Sequence, residues 1–153
     1  MENTIDVANM NIDRTKPKIE LIEIQNTNTN YPQYANKTHT ISFKIKVTEK
    51  NIGKNNFVKD FFGFKLDENN INISEDNFSI KEIESINEGK IYKIDIKGIS
   101  GNGKLSMQIK EGVIIDKCGL KSKSQNIDSG IIIDNTAPVG KFKEVKIQDG
   151  KVN

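Results

Sequence analysis

Hydrophobic residues recur at every second position over much of the chain, and that period belongs to half-buried strands rather than helices. Residues 40–47, TISFKIKV, give the clearest case, with Ile41, Phe43, Ile45 and Val47 alternating with polar side chains. Residues 91–96, IYKIDI, place Tyr92, Ile94 and Ile96 on one face, and residues 105–109, LSMQI, do the same with Leu105, Met107 and Ile109. Residues 18–24, KIELIEI, predict a strand burying Ile19, Leu21 and Ile24. Residues 61–66, FFGFKL, predict a shorter one, and residues 70–73 another. Residues 78–86, FSIKEIESI, mix the two periods, since Phe78 and Ile80 are spaced as in a strand and Ile83 and Ile86 as in a helical turn. The strand reading is preferred there. Residues 113–115 and 131–133 are short apolar runs that suit buried or edge strands. Between the first two strands, NTNTNYPQYANK is a polar loop without periodicity.

Seven or eight short antiparallel strands with turn signals about every ten residues describe an all-β sandwich. The dipeptide Asn102-Gly103 on its own favours a tight hairpin between the strands on either side of it. A sandwich whose chain crosses there from one sheet to the other contradicts that local signal.

Composition supports the pattern. The 153 residues suit one domain, long enough to bury a core without a disulfide or metal. Apolar content is concentrated in Ile, Val and Phe, and alanine is scarce, which disfavours long helices. The net charge of +2 comes from 23 basic and 21 acidic residues interleaved along the chain, and every basic residue except Arg14 is a lysine. Nucleic-acid binders concentrate charge on one face and rely on Arg, so no nucleic-acid partner is expected. No apolar run reaches the length of about 18 residues that a spanning helix needs, so no membrane insertion is expected. The first residues, MENTIDVANMN, lack the basic and apolar regions of a secretion signal. The chain is therefore expected either to stay inside the cell or to be a piece of a longer protein.

One piece of punctuation occurs twice. Asp13-Arg14-Thr15-Lys16-Pro17 returns 121 residues later as Asp134-Asn135-Thr136-Ala137-Pro138. Each is followed by a similar alternating stretch, KIELIEIQN after Pro17 and VGKFKEVKIQD after Pro138. Asp and Thr side chains close turns by accepting backbone N–H groups, and proline stiffens the chain that follows. The pattern divides the chain into an N-terminal junction (1–17), a sandwich (18–138) and a C-terminal tail (139–153) that is a remnant or the first strand of a following repeat.

Together with residues 101–119, GNGKLSMQIKEGVIIDKCG, these junctions resemble the bacterial immunoglobulin-like repeats of surface proteins and adhesins, whose units meet at Asp-x-Thr-x-Pro. The family's turn reads Asp-x-Ala-Gly-Asn; here Cys118 replaces Ala and Leu120 replaces Asn. The resemblance implies an immunoglobulin-like sandwich outside the cell, partnered by neighbouring repeats or other domains, and acting as a non-catalytic spacer that contributes to adhesion. It assigns Asp13, Thr15, Pro17, Asp134, Thr136 and Pro138 to the junctions. It also makes Asp13, Asp116 and Asp134 candidate Ca²⁺ ligands, although no cofactor is required and plain turn-forming acids account for the same residues. The loss of an amide at Leu120 weakens the calcium reading, and no dense acidic loop supports it. Some domains of this kind carry a Lys–Asn isopeptide crosslink, for which the many lysines and asparagines nominate no pair.

Two alternatives accompany the spacer. One is a ligand-binding module that uses Tyr31 and Tyr34, in the polar loop, for a glycan or a host protein; tyrosines in such a loop also serve simply to hold it down. The other is an accessory domain of a secreted multidomain enzyme. Catalysis within this chain is not expected, because His39 and Cys118 form the sole conceivable nucleophilic pair and both suit ordinary strand-end and turn positions. No hydrolase, zinc or phosphate-loop motif occurs.

Overall fold

A computed structural model describes residues 15–137. Asp13, Arg14, Pro138 and the tail 139–153 lie outside the described residues, and the junction and repeat expectations that rest on them stay with the sequence. The strands are β1 (Lys18–Asn26), β2 (Tyr34–Ala35), β3 (Ile41–Thr48), β4 (Ile52–Asn55), β5 (Phe62–Leu66), β6 (Asn69–Ile71), β7 (Phe78–Ile86), β8 (Gly89–Ile96), β9 (Gly103–Ile109), β10 (Ile114–Asp116) and β11 (Gln125–Ile133). Seven of these have five residues or more, which matches the expected number; β2, β4, β6 and β10 are short additions. The only helical pieces among the described residues are single 3₁₀ turns at Lys59–Phe61 and Glu75–Asn77.

The strands form a four-stranded sheet, β1-β3-β8-β7, and a five-stranded sheet, β2-β11-β9-β5-β6, with β10-β4 as a small separate ribbon. This matches the immunoglobulin arrangement of sheets ABED and CFG, with β1, β3, β8 and β7 as A, B, E and D and β5, β9 and β11 as C, F and G. Every pairing is antiparallel except β2 with β11, which is parallel. The core lies between the sheets. Ile41, Phe43, Ile45 and Val47 of β3, Ile94 and Ile96 of β8, and Leu105 and Met107 of β9 are all fully buried. The strict period-2 alternation of these strands is what allowed them to be read from the sequence.

Where the alternation was broken, a bulge is the cause. In β7 the register shifts between Glu82 and Glu84, so Ile83 is the extra residue and is exposed. The element is a strand throughout, and its mixed period is the signature of that bulge. In β1 the shift falls between Leu21 and Glu23. Ile19 is buried and Ile24 half-buried as expected, but Leu21 is 38% exposed. Leu21 sits next to the bulge on an edge strand, where no neighbour on the far side covers it.

Asn102-Gly103 does not make a hairpin. The chain crosses there from β8 in the first sheet to β9 in the second, so global topology overrides the local turn preference. Gly89 shows the opposite case, a residue that its position requires. A Cβ there would collide with the Val47 carbonyl oxygen, so only glycine lets β8 start against β3.

Candidate functional site

The strand registers give the sandwich two poles. Lys18 pairs with Thr48 and Thr48 with Gly89, which places the incoming chain at one end. Ile133 pairs with Gly103, which places the outgoing chain at the other. The two junctions are therefore at opposite ends of the domain.

At the incoming pole, Pro17 is buried just ahead of β1, where a missing N–H costs no ladder bond. Thr15 borders a crevice shared with Thr48, Glu49, Lys50 and Glu88. Glu49 is 8% exposed, and its carboxylate accepts the Asn51 N–H at 3.0 Å. The β10–β11 connection comes to the same pole, since the Lys117 N–H donates to the Asn51 carbonyl at 2.8 Å. Asp116 is buried, and its Oδ1 accepts the N–H groups of Cys118 (2.9 Å) and Leu120 (2.8 Å), so it closes this turn. Its other oxygen, also buried, has no hydrogen-bond partner among the described residues.

At the outgoing pole the junction is tied down. Asp134 Oδ1 accepts the Thr136 N–H at 2.9 Å, which is the side-chain-capped turn expected from the sequence. The Asp134 N–H donates to the Ala35 carbonyl at 2.8 Å. Asn135, the variable position of the motif, does more than either of its neighbours. Its amide nitrogen donates to the carbonyls of Ile99 (3.0 Å) and Gly101 (2.7 Å), and its Oδ1 accepts the Lys37 N–H at 2.8 Å. Asn102 completes the clasp, accepting the Asn135 N–H at 2.8 Å and donating to Thr136 Oγ1 at 3.0 Å. Sequence reasoning missed Asn135 and Asn102. The available signal was an amide at the variable position, able to donate twice and accept twice.

The metal expectation meets a geometric obstacle. Calcium takes six to eight oxygens in one shell, whereas Asp116 and Asp134 stand at opposite poles. Among the described residues no three His, Cys, Asp or Glu side chains come together. Asp116 and Asp134 therefore do not share one shell, and Asp13, the third expected ligand, lies outside the described residues. His39 and Cys118 are likewise at opposite poles. His39 Nδ1 accepts the Asn36 N–H at 3.0 Å in the loop before β3, and Cys118 is exposed in its turn. They cannot act as a pair.

Tyr31 and Tyr34 are exposed, at 67% and 48%, rather than packed into the core. Asparagines hold the loop down. Asn26 Nδ2 donates to the carbonyls of Pro32 (3.0 Å) and Tyr34 (2.8 Å), and Asn28 Nδ2 to Tyr34 (2.9 Å).

The outer face of the five-stranded sheet contains a groove of about 600 Å³. It is lined by Ser106 and Gln108 of β9 between Lys65 of β5 and Asn126 and Asp128 of β11. No helix among the described residues is long and apolar enough to cross a membrane. No family model, curated protein or solved structure matches this chain.

Proposed function

We propose that this chain is a non-catalytic spacer module of a repetitive bacterial surface protein, outside the cell, with neighbouring modules of the same fold as its partners. One observation carries the reading: the chain enters at one pole and leaves at the other through a junction clasped to two loops. A string of such units extends, because each adds its full length between junctions. Asn135 accepts from the Lys37 N–H and donates to the Gly101 carbonyl, which anchors the end of the domain to two loops. A clasped strand end followed by proline transmits orientation far better than a flexible linker does. In such a string, Asp134 of one module approaches the pole that carries Asp116 of the next. Calcium, on this reading, acts between modules and not within one.

The test is the distance distribution between spin labels on two copies joined in tandem through residues 134–138. A single narrow peak is expected, broadened by Asn135→Ala in the first copy. A distribution as broad as that of a Gly/Ser linker in the unaltered protein overturns the reading.

A further inference from the structure

We infer that the groove on the outer face of the five-stranded sheet is a binding site for a neutral oligosaccharide. The argument starts from register. Lys65, Ser106 and Asp128 lie directly opposite one another across β5, β9 and β11, and Gly63, Gln108 and Asn126 form the next row. In the first row Lys65 and Asp128 flank the small Ser106, and in the second Gln108 of the middle strand leans over Gly63. Two strand spacings separate Lys65 from Asp128, about 9–10 Å, so the walls do not touch and a channel remains between them. Its volume lies within the range of small-molecule sites.

The chemistry of the groove selects the occupant. None of Lys65, Lys104, Glu68 and Asp128 has an ion-pair partner among the described residues, although both signs are present. A ligand of either single charge would meet repulsion from part of this lining. A polyhydroxyl ligand meets none, because each hydroxyl donates to a carboxylate or accepts from an ammonium or amide. The Asn126 side chain makes no hydrogen bond among the described residues, so its amide is available. Gln108 lies over Gly63, where a Cβ would come within 3.2 Å of its Oε1, and donates to Ser106 Oγ at 3.2 Å. In the next row along the strands, Lys104 is opposite Ile132 and Ile132 opposite Tyr34. Ile132 and Tyr34 are 37% and 48% exposed, and they offer an apolar ledge to the C–H face of a sugar ring. This inference is independent of the spacer reading, since a module can both extend a string and carry a site on its side.

The experiment is an amide-shift titration of the ¹⁵N-labelled 153-residue chain. The probes are short, linear, neutral oligosaccharides of the cello-, malto-, chito- and manno- series. At least one series is expected to shift amides of β5, β9 and β11 saturably, with little change in affinity up to about 0.5 M salt. Lys65→Ala and Asn126→Ala, whose side chains bond nothing in the described fold, should each weaken binding about tenfold. Lys44→Ala, on the opposite sheet, should leave it unchanged. No saturable shift in the groove with any series overturns the inference. So does a groove that responds only to an anionic heparin fragment with steep salt dependence, which would make it an anion site.

Discussion

The two outer faces of the sandwich cover the same core and treat their charges differently. On β1-β3-β8-β7 most charges are paired, among them Lys44 with Glu23 at 3.2 Å, Lys46 with Glu20 at 3.8 Å and Lys93 with Asp95 at 3.9 Å, while Lys81, opposite Lys93, is in no ion pair among the described residues. Ser42 adds a bond to Asp95 at 2.5 Å. Here the acids of the edge strand β1 answer the lysines of β3. On β2-β11-β9-β5-β6 no ion pair forms among the described residues, and the charges line a groove. The first face is a solvated surface that pairs most of its own charges. The second leaves its charges without ion pairs among the described residues, although Asp67 and Asp128 each accept a backbone N–H.

The strongest attack on this comparison goes beneath both faces. Phe43→Ala from the first sheet and Leu105→Ala from the second remove fully buried side chains. Each should cost about 3–5 kcal/mol in urea unfolding. If one costs much less than the other, the sheets do not share the core equally, and the contrast between the faces extends inward. Asn135→Ala comes next, with an expected loss of about 1–3 kcal/mol because it strands the carbonyls and the N–H that the amide now serves. A loss below a few tenths would show that the outgoing junction is not held by this residue.

Alkaline titration sharpens the picture on the inner side of the first sheet. Burial raises the Tyr92 phenol above its ordinary pKa of 10.0, a nearby Lys90 opposes this, and Glu82 adds slightly to it. A folded pKa above the unfolded one means that the unfolded chain loses its proton first. The phenol's contribution is therefore complete below the unfolded value and is lost as pH rises through the folded one. Thermal midpoints should fall above pH 10, and Tyr92→Phe should remove that component of the fall. An unchanged alkaline profile in the variant would place the responsible group elsewhere.

The smallest effects separate the faces themselves. Lys44→Ala should cost at most about 1 kcal/mol, and less as salt increases. Lys65→Ala should stay within about 0.5 kcal/mol at any salt concentration. A salt-dependent loss at Lys65 would show that the second face is paired after all.

The long strands were legible because Ile41–Thr48 and Gly89–Ile96 obey strict alternation with one face buried and one wet. Leu21 and the mixed period of β7 were misleading or ambiguous for one reason: a bulge adds a residue and shifts the phase, and nothing in the local composition announces it. The first half of β11 was missed because Ser129 takes an inward position, where its hydroxyl donates to the Leu105 carbonyl at 2.6 Å. A polar residue inside a strand erases the apolar rhythm even when its hydrogen bonds are complete. At the junction, the turn formed by Asp134 and Thr136 followed from their residue types. The clasp by Asn135 did not, because its partners lie 33 to 98 residues away. The groove was invisible for a related reason, since it depends on which three strands stand side by side.

Both edge strands of the four-stranded sheet, β1 and β7, carry their register shift in mid-strand. Tethered modules experience one another at effective concentrations in the millimolar range, where even weak edge-to-edge pairing would prevail. A strand that changes phase halfway cannot template a long regular ladder on its neighbour, because only half of any added strand finds its partners. The two extra residues thus act as insulation. In a tandem string of the kind proposed, the same two residues would keep neighbouring edges from pairing.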